Sequence, residues 1–289
     1  MITTINTTMQ WALIYCFDKY SKLYRLATLK KILVISCLSI LLLNCNENSI
    51  RLGTTSTLQD SGLLAVLVDT YNASHDNKVV PVVAGSGHIF TLIERDDIDI
   101  AITHEPQGEQ ALVARKLVKQ RQPLMRNYFV LVGPKHDPAH IESSITVDEA
   151  LKKIANTHNT WISRNDNSGT HLMEKHWWNI ANLNDKTNHV IRTGTGMGAS
   201  LAVAVERDAY TLVDIATWLH FDNKESLRIL FDDADLLPNF YSVLHLNTAT
   251  TTVSSFIEWL DSDSTQQLIN QYRINNTPVF FIESPNDKS

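Results

Sequence analysis

Four short stretches hold the residues whose types and spacing could do chemistry: "GTTST" at 53–57, "AGSGH" at 84–88, "SRNDNSGTH" at 163–171 and "TGTGMGAS" at 193–200. Each is rich in Gly, Ser or Thr, and each stands between an apolar run and a segment with helical spacing. Hydroxyls and backbone N–H groups at a helix start lie at the positive end of the helix dipole, where an anion is stabilised. A cleft lined with them would hold an anion mainly by donated hydrogen bonds. Helix capping is the simpler account, because one Ser, Thr or Asp accepts from the orphan N–H groups of a first turn. Thr54, Thr55, Ser56 and Thr57 exceed what one cap needs, and Asp60 and Ser61 follow them. Arg164 is the single arginine or lysine in the four stretches. Its guanidinium would offer an oxyanion planar donor pairs and keep its charge. The other account of it is an exposed arginine paired with Asp166. On local grounds both pairs of readings stay open.

Other chemistries fit less well. Gly194 to Gly198 reads G-x-G-x-G, not the dinucleotide spacing G-x-G-x-x-G. No H-E-x-x-H occurs, His104 and Glu105 are adjacent, and His171 and His176 stand five apart, so a shared metal is not expected. "AGSGH" does not match the G-x-S-x-G of a serine hydrolase. Asp60, Asp166 and Asp214 could serve as acid or base only if the fold brought them together. Trp161, Trp177, Trp178, Trp218 and Trp259 are expected to pack the core.

The elements that must position the four stretches alternate in type. Strands are expected at "SIRLG", "KVVPVVAG", "DIDIAIT", "RNYFVLVGP", "TWIS", "HVIRT", "AYTLVD", "SLRILF" and "YSVLHLN". Pro81 places the second of these at a sheet edge or bulge. Helices are expected over 61–74, after 88, and over 109–117, 146–157, 168–181, 197–206, 214–220, 253–260 and 265–272. Thr146 and Glu149 stand at capping-box spacing. This alternation implies α/β architecture with mostly parallel sheets. We expect two lobes joined by two crossover strands, with 49–128 and 241–284 forming one and 129–240 the other.

The first 45 residues read as a leader. Lys30 and Lys31 precede a mostly apolar run from Ile32 to Leu43, too short to span a bilayer comfortably and suited to a signal peptide. "LLNC" resembles a bacterial lipobox and makes Cys45 a candidate for lipidation. The three cysteines are Cys16, Cys37 and Cys45, so the body holds no disulfide or thiol chemistry. The chain's formal charge is −6; five bases and one acid give the leader +4 and leave −10 for the body. Such a body has no general attraction for nucleic acid or anionic membranes. A bound anion would need local dipoles and one well-placed cation.

In order along the chain, "GTTSTLQDSGLL", "VGPKHDPAHI", "SRNDNSGTHLMEKHWW", "GTGMGASLAVAVERDAYTLVDIATWL" and "FIEWLDSDSTQQLI" resemble the tungstate-binding proteins of ABC importers. The likeness runs from about Arg51 to about Phe281. It implies a two-lobed periplasmic-binding-protein fold that closes on a bare oxoanion and delivers it to a membrane permease. No enzyme activity, metal or cofactor is implied, and a monomer is expected. The ligand would be tungstate or molybdate, held by Thr54, Thr55, Ser56, Thr57, Ser86, Gly87, Arg164, Ser168, Gly169, Thr170, Gly196 and Met197. Thr54 and Thr57 are expected behind the contacting groups, because neighbouring side chains cannot all point inward. The sequence has Thr-Thr-Ser-Thr where the family tends to Thr-Thr-Thr-Ser, and Ile215 where a polar or basic residue is expected. Its Thr103-His104-Glu105-Pro106 turn resembles the family's His-Ala-Pro turn loosely. The alternatives are a phosphate-type receptor, with Asp60 or Asp166 accepting the ligand's proton, and an exported phosphate-ester hydrolase using Ser56 or Ser168. A sensory receptor of the same fold is a third.

Overall fold

The computed structural model describes residues 49–183, 189–224, 226–247 and 250–283. The leader, with Cys45, lies outside the described residues. Three parallel strands begin the body: β1 (Ser49–Thr55), β2 (Lys78–Ala84) and β3 (Ile100–Thr103), with β1 between the other two. Pro81 sits in β2, an edge strand, where a missing N–H costs no ladder bond. A second parallel set follows: β5 (Trp161–Ser163), β6 (Val190–Arg192) and β7 (Tyr210–Asp214), with β5 in the middle.

Between these sets runs β4 (Val118–Pro134), a single strand of 17 residues. It pairs antiparallel with β9 (Pro238–Leu246) as far as Tyr128, then with β7 from Phe129 onward. Strand β9 in turn pairs with β3, and β8 (Leu227–Phe231) adds to β4. The outer strands of each half are therefore parallel, and the antiparallel pairs gather in the middle. This is the two-lobed α/β arrangement expected, with β4 belonging to both sheets. Two short pieces were not foreseen: a hairpin of β10 (Arg273–Ile274) with β11 (Thr277–Pro278), and β12 (Phe281–Ile282), which pairs with β4.

Strand periodicity distributes the core. Ile100 and Ile102 of β3 face one cluster while Ala101 faces another. Phe129 and Leu131 of β4 face a third, and Val130 and Val132 a fourth. Each sheet is thus covered on both sides, as parallel strands require. Helices supply the covers: α1 (Ser56–Asp60), α2 (Leu63–Ser74), α3 (Ser86–Glu94), α4 (Pro106–Ala114), α5 (Val147–Asn156), α6 (Gly169–Ile180), α7 (Met197–Arg207), α8 (Ile215–His220), α9 (Thr251–Asp261) and α10 (Asp263–Gln271). In α5, Val147, Ala150, Leu151 and Ile154 are buried, the stripe its spacing implied. Thr146 Oγ1 accepts from Glu149 N–H, and the Glu149 carboxylate reaches back to Ile145 N–H.

Several helix starts differ from expectation, and two have a clear local cause. The helix expected over 61–74 begins at Leu63, because Gly62 adopts φ +78° and ends a separate turn, α1. The helix expected over 109–117 is α4, which starts at Pro106; proline is pre-set for a first turn, and Glu105 caps it through Gly108 N–H.

Candidate functional site

The carboxyl ends of six parallel strands meet in the middle of the molecule. That is where an open α/β sheet leaves a crevice for ligands. Thr55–Thr57 follow β1, Gly85–Ser86 follow β2 and His104 follows β3. Arg164–Ser168 follow β5, Gly194–Gly196 follow β6 and Asp214 ends β7. The two sets approach closely. A Cβ on Gly169 would fall 2.4 Å from the His104 carbonyl oxygen, and one on Gly196 would lie 3.5 Å from Ser56 Oγ.

The hydroxyl row divides its work. Thr54 Oγ1 donates to the Ile102 carbonyl at 3.0 Å, which ties β1 to β3 and turns it away from the cleft. Thr55 caps α1 by accepting from Leu58 N–H. Ser56 is half-buried against Gly196, and Thr57 accepts from Arg164 at 3.2 Å. Capping thus accounts for Thr55 and not for the whole row, because Thr54, Ser56 and Thr57 make other contacts.

Arg164 is 2% exposed. Its Nη1 donates to Thr57 Oγ1 and, at 3.1 Å, to Thr170 Oγ1; its Nη2 donates to Asp166 at 2.6 Å. Nε is buried with no partner among the described residues. The ion pair with Asp166 is real, yet the arginine is not exposed. The other Asp166 oxygen accepts from Ser168 N–H, so the carboxylate braces both the guanidinium and the loop. Asn165 and Asn167 adopt φ +47° and +56°, left-handed values that asparagine tolerates better than most residues.

Backbone donors are arranged unevenly. Ser168 caps α6 through His171 N–H. Helices α3 and α7 instead begin after Gly85 and Gly196, with no side-chain cap. Their first N–H groups are left for another acceptor. Ser86 is fully buried and its Oγ has no partner among the described residues, whereas Gly87 is exposed. One N–H of α7 is engaged: Gly198 donates to Asp60 at 3.4 Å, from one lobe to the other.

A second polar cluster lies beside the first, at the crossover strands. His104 Nδ1 meets Asn239 Oδ1 at 2.8 Å, Asn239 Nδ2 donates to Asn127 Oδ1 at 2.6 Å, and Asn127 Nδ2 donates to Asp214 at 3.2 Å. Asp214 also caps α8 by accepting both Thr217 N–H and Thr217 Oγ1–H. Burial lowers the His104 imidazole to about 4, so it is neutral. Burial raises Asp214 to about 6, against the pull of its Thr217 bonds and of Arg164. Asn127 and Asn239 escaped the sequence reading. Their signal is an asparagine inside an apolar strand run, "RNYFV" and "PNFYSV", where such residues are disfavoured.

Residues 46–264 match the PBP superfamily domain. The tungstate-binding protein TupA of Peptoclostridium acidaminophilum is 31% identical over 234 residues, 78% of this chain and 82% of that protein. The structure of the tungstate ABC transporter from Geobacter sulfurreducens superposes with a TM-score of 0.71 at 34% identity, covering 78% of this chain and 98% of the other. The tungstate-binding protein TupA from Desulfovibrio alaskensis G20 gives a TM-score of 0.70 at 30% identity, covering 82% and 99%.

The chain belongs to the tungstate-binding protein family. In this TupA-like chain, Ser56 lies against Gly196 and Gly169 against His104, Thr57 and Thr170 accept from the buried Arg164, Ser86 is buried, Gly87 is exposed, and the Met197 side chain sits in an apolar cluster. Thr54 is tied to β3, and Thr55 and Ser168 spend an oxygen on helix caps. Ile215, which stands where a polar or basic residue was expected, is buried in apolar surroundings. No group of three His, Cys, Asp or Glu residues able to hold a metal occurs among the described residues.

Proposed function

We propose that this protein is an extracytoplasmic receptor that binds tungstate or molybdate and hands it to an ABC permease. One observation carries the reading: a buried arginine and a buried serine have unpartnered polar atoms, and two helix starts without a side-chain cap, at Gly85 and Gly196, lie beside Asp166 and Ser56 of the opposite lobe. Tungstate and molybdate are fully deprotonated near neutral pH, so every oxygen needs a donor and none can give one. The crevice offers the N–H groups at Ser86 and Gly87, at Gly169 and Thr170, and at Met197, together with the Ser56 and Ser86 hydroxyls and Arg164. Donors come from both lobes, so an anion between them favours the closed form. The relatives' names support the choice of anion.

The lobes divide at 128/129, where β4 changes partner, giving 49–128 plus 241–284 and 129–240. β9 already pairs in the first sheet from Pro238, which brings the second crossing slightly earlier. Residues 1–45 act as an export leader, with Cys45 the lipid attachment point. The receptor acts as a monomer without cofactor or catalysis. Ser168, one of two candidate nucleophiles, has its Oγ engaged as a helix cap.

Titration calorimetry of the full chain with tungstate, molybdate, sulfate and phosphate tests the reading. Tungstate or molybdate binds tightly, sulfate weakly, and Arg164→Ala loses at least about a hundredfold, the scale of breaking a buried charge-assisted contact. Preference for phosphate would move the protein to another branch of the fold. Absence of heat with all four would remove the receptor reading.

A further inference from the structure

The crevice holds more negative charge than an anion receptor should. Among the described residues Arg164 is its one guanidinium, and three carboxylates act on it. Asp166 pairs with it directly at 2.6 Å, and the charges of Asp60 and Asp214 both interact with it. With all three acids ionised, this group carries −2 before any ligand arrives. A dianion would bring it to −4 in a half-desolvated space, where unit charges a few ångströms apart interact by several kcal/mol. His104 does not offset this, because its buried imidazole is neutral.

The three acids differ in how many hydrogen bonds their carboxylates accept. Asp166 accepts from Arg164 and Ser168 N–H, and Asp214 accepts from Asn127, Thr217 N–H and the Thr217 hydroxyl. Asp60 accepts one long bond, from Gly198 N–H at 3.4 Å. It stands at the end of α1, one helical turn from Ser56, and spans the two lobes. The groups acting on it are Arg164 from the loop after β5, His220 at the end of α8, Asp214 at the end of β7 and Tyr241 on β9. Burial opposes its ionised form, whereas Gly198 N–H, Arg164 and His220 favour it, and its charge in turn raises Asp214.

We propose that binding of the oxoanion is coupled to uptake of a proton from solvent by Asp60. The proposal rests on the oxoanion-receptor reading above. The proton neutralises the carboxylate that accepts the fewest hydrogen bonds as the dianion enters, and it converts Asp60 from an acceptor into a donor. Burial already makes Asp60 a weaker acid than a free carboxyl, so the free protein is poised for that step. By linkage, a group that binds its proton more tightly in the complex makes affinity rise as pH falls. Because Asp60 and Asp214 interact, the uptake is a property of the pair, with Asp60 its main seat.

Calorimetry of the full chain with sodium tungstate, near pH 7, in buffers of small and large ionisation enthalpy measures the uptake directly. The slope of observed heat against buffer ionisation enthalpy corresponds to about half a proton or more taken up per site. In Asp60→Asn the slope falls to near zero, and affinity becomes nearly independent of pH between about 7 and 8.5. The wild type weakens about twofold or more over that interval. Infrared difference spectra of the wild type show a carboxylic-acid C=O band appearing with ligand, a readout that needs no variant to fold. Heat with zero slope in the wild type overturns the coupling and leaves the receptor intact. An unchanged slope in Asp60→Asn overturns the assignment to this residue. Absence of heat with tungstate, molybdate, sulfate and phosphate alike removes the receptor reading, and the coupling falls with it.

Discussion

Two buried polar clusters join the lobes, and they treat their hydrogen bonds differently. At the crossover strands, His104, Asn239, Asn127 and Asp214 pass donated bonds in one direction and end on a carboxylate that Thr217 also serves. In the crevice, Arg164 Nε and Ser86 Oγ are equally buried and have no partner among the described residues. The first cluster nearly satisfies itself, with His104 Nε2 the exception. The second does not. A buried polar group left unmade costs about 1–3 kcal/mol, so such a group marks a place where something else completes the bonding. Satisfied polar groups fix how two parts sit; unsatisfied ones report what comes between them.

The comparison breaks first at Asn239. Asn239→Ala leaves the His104 Nδ1 proton and Asn127 Oδ1 unpaired in a buried site, and it should cost about 3 kcal/mol of stability in urea unfolding. A cost under about 1 kcal/mol would mean that the crossover cluster is not held by these bonds.

Protonation tests the same cluster. His104, lowered to about 4, favours the unfolded chain as pH falls from 6.5 towards 4, since the unfolded imidazole takes up the proton first. Asp214, raised to about 6, works in reverse: the folded carboxyl protonates first, so its contribution to stability grows as pH falls from 6 towards 3.8. Each amounts to about 2–3 kcal/mol, and in the wild type they largely cancel over pH 4–6. His104→Asn keeps a donor near Nδ1 and removes one side of the balance, so stability should rise on acidification through that window. Asp214→Asn should make it fall. Denaturant melts at several pH values read both, and equal slopes in the two variants would defeat the assignment.

Where the lobes meet, Gly169 sharpens the contrast. An alanine Cβ there would lie 2.4 Å from a backbone oxygen and 2.8 Å from His104 Nδ1, so the lobes must part slightly. Overpacking of this kind costs about 1–3 kcal/mol. Because opening relieves it, the loss should fall on ligand affinity, about tenfold or more. Small-angle scattering of the ligand-saturated variant should show a larger radius than the wild type. Unchanged affinity would place the closed form elsewhere.

Much of this was legible from sequence, for identifiable reasons. Strand and helix periods follow from local burial, and glycine- and hydroxyl-rich turns at strand ends are local in the chain; both were read correctly in kind. The division of labour among Thr54, Thr55, Ser56 and Thr57 was not, because Thr54 is claimed by Ile102, 48 residues away. The Asn127–Asn239 bond joins positions 112 residues apart and leaves no periodic trace. Arg164 misled in a different way. Pairing with Asp166 looked like the mark of an exposed arginine, yet the fold buries the guanidinium, leaves Asp166 partly exposed and adds Thr57 and Thr170 as acceptors.

The smallest effect separates the clusters most cleanly. Ser86→Ala removes a buried hydroxyl that has no partner among the described residues, so the ligand-free protein should lose nothing and gain up to about 1 kcal/mol. Affinity for the oxoanion should fall about tenfold, the worth of one hydrogen bond to a charged group. With saturating tungstate the sign therefore reverses, since a ligand stabilises in proportion to how well it binds the folded state. No residue of the satisfied crossover cluster can show this reversal, because truncating any of them strands a partner whether ligand is present or not. Thermal melts of Ser86→Ala with and without tungstate read both signs in one experiment. A loss of stability in the ligand-free state would mean that the hydroxyl has a bonding role inside the protein, and the crevice would then resemble the crossover.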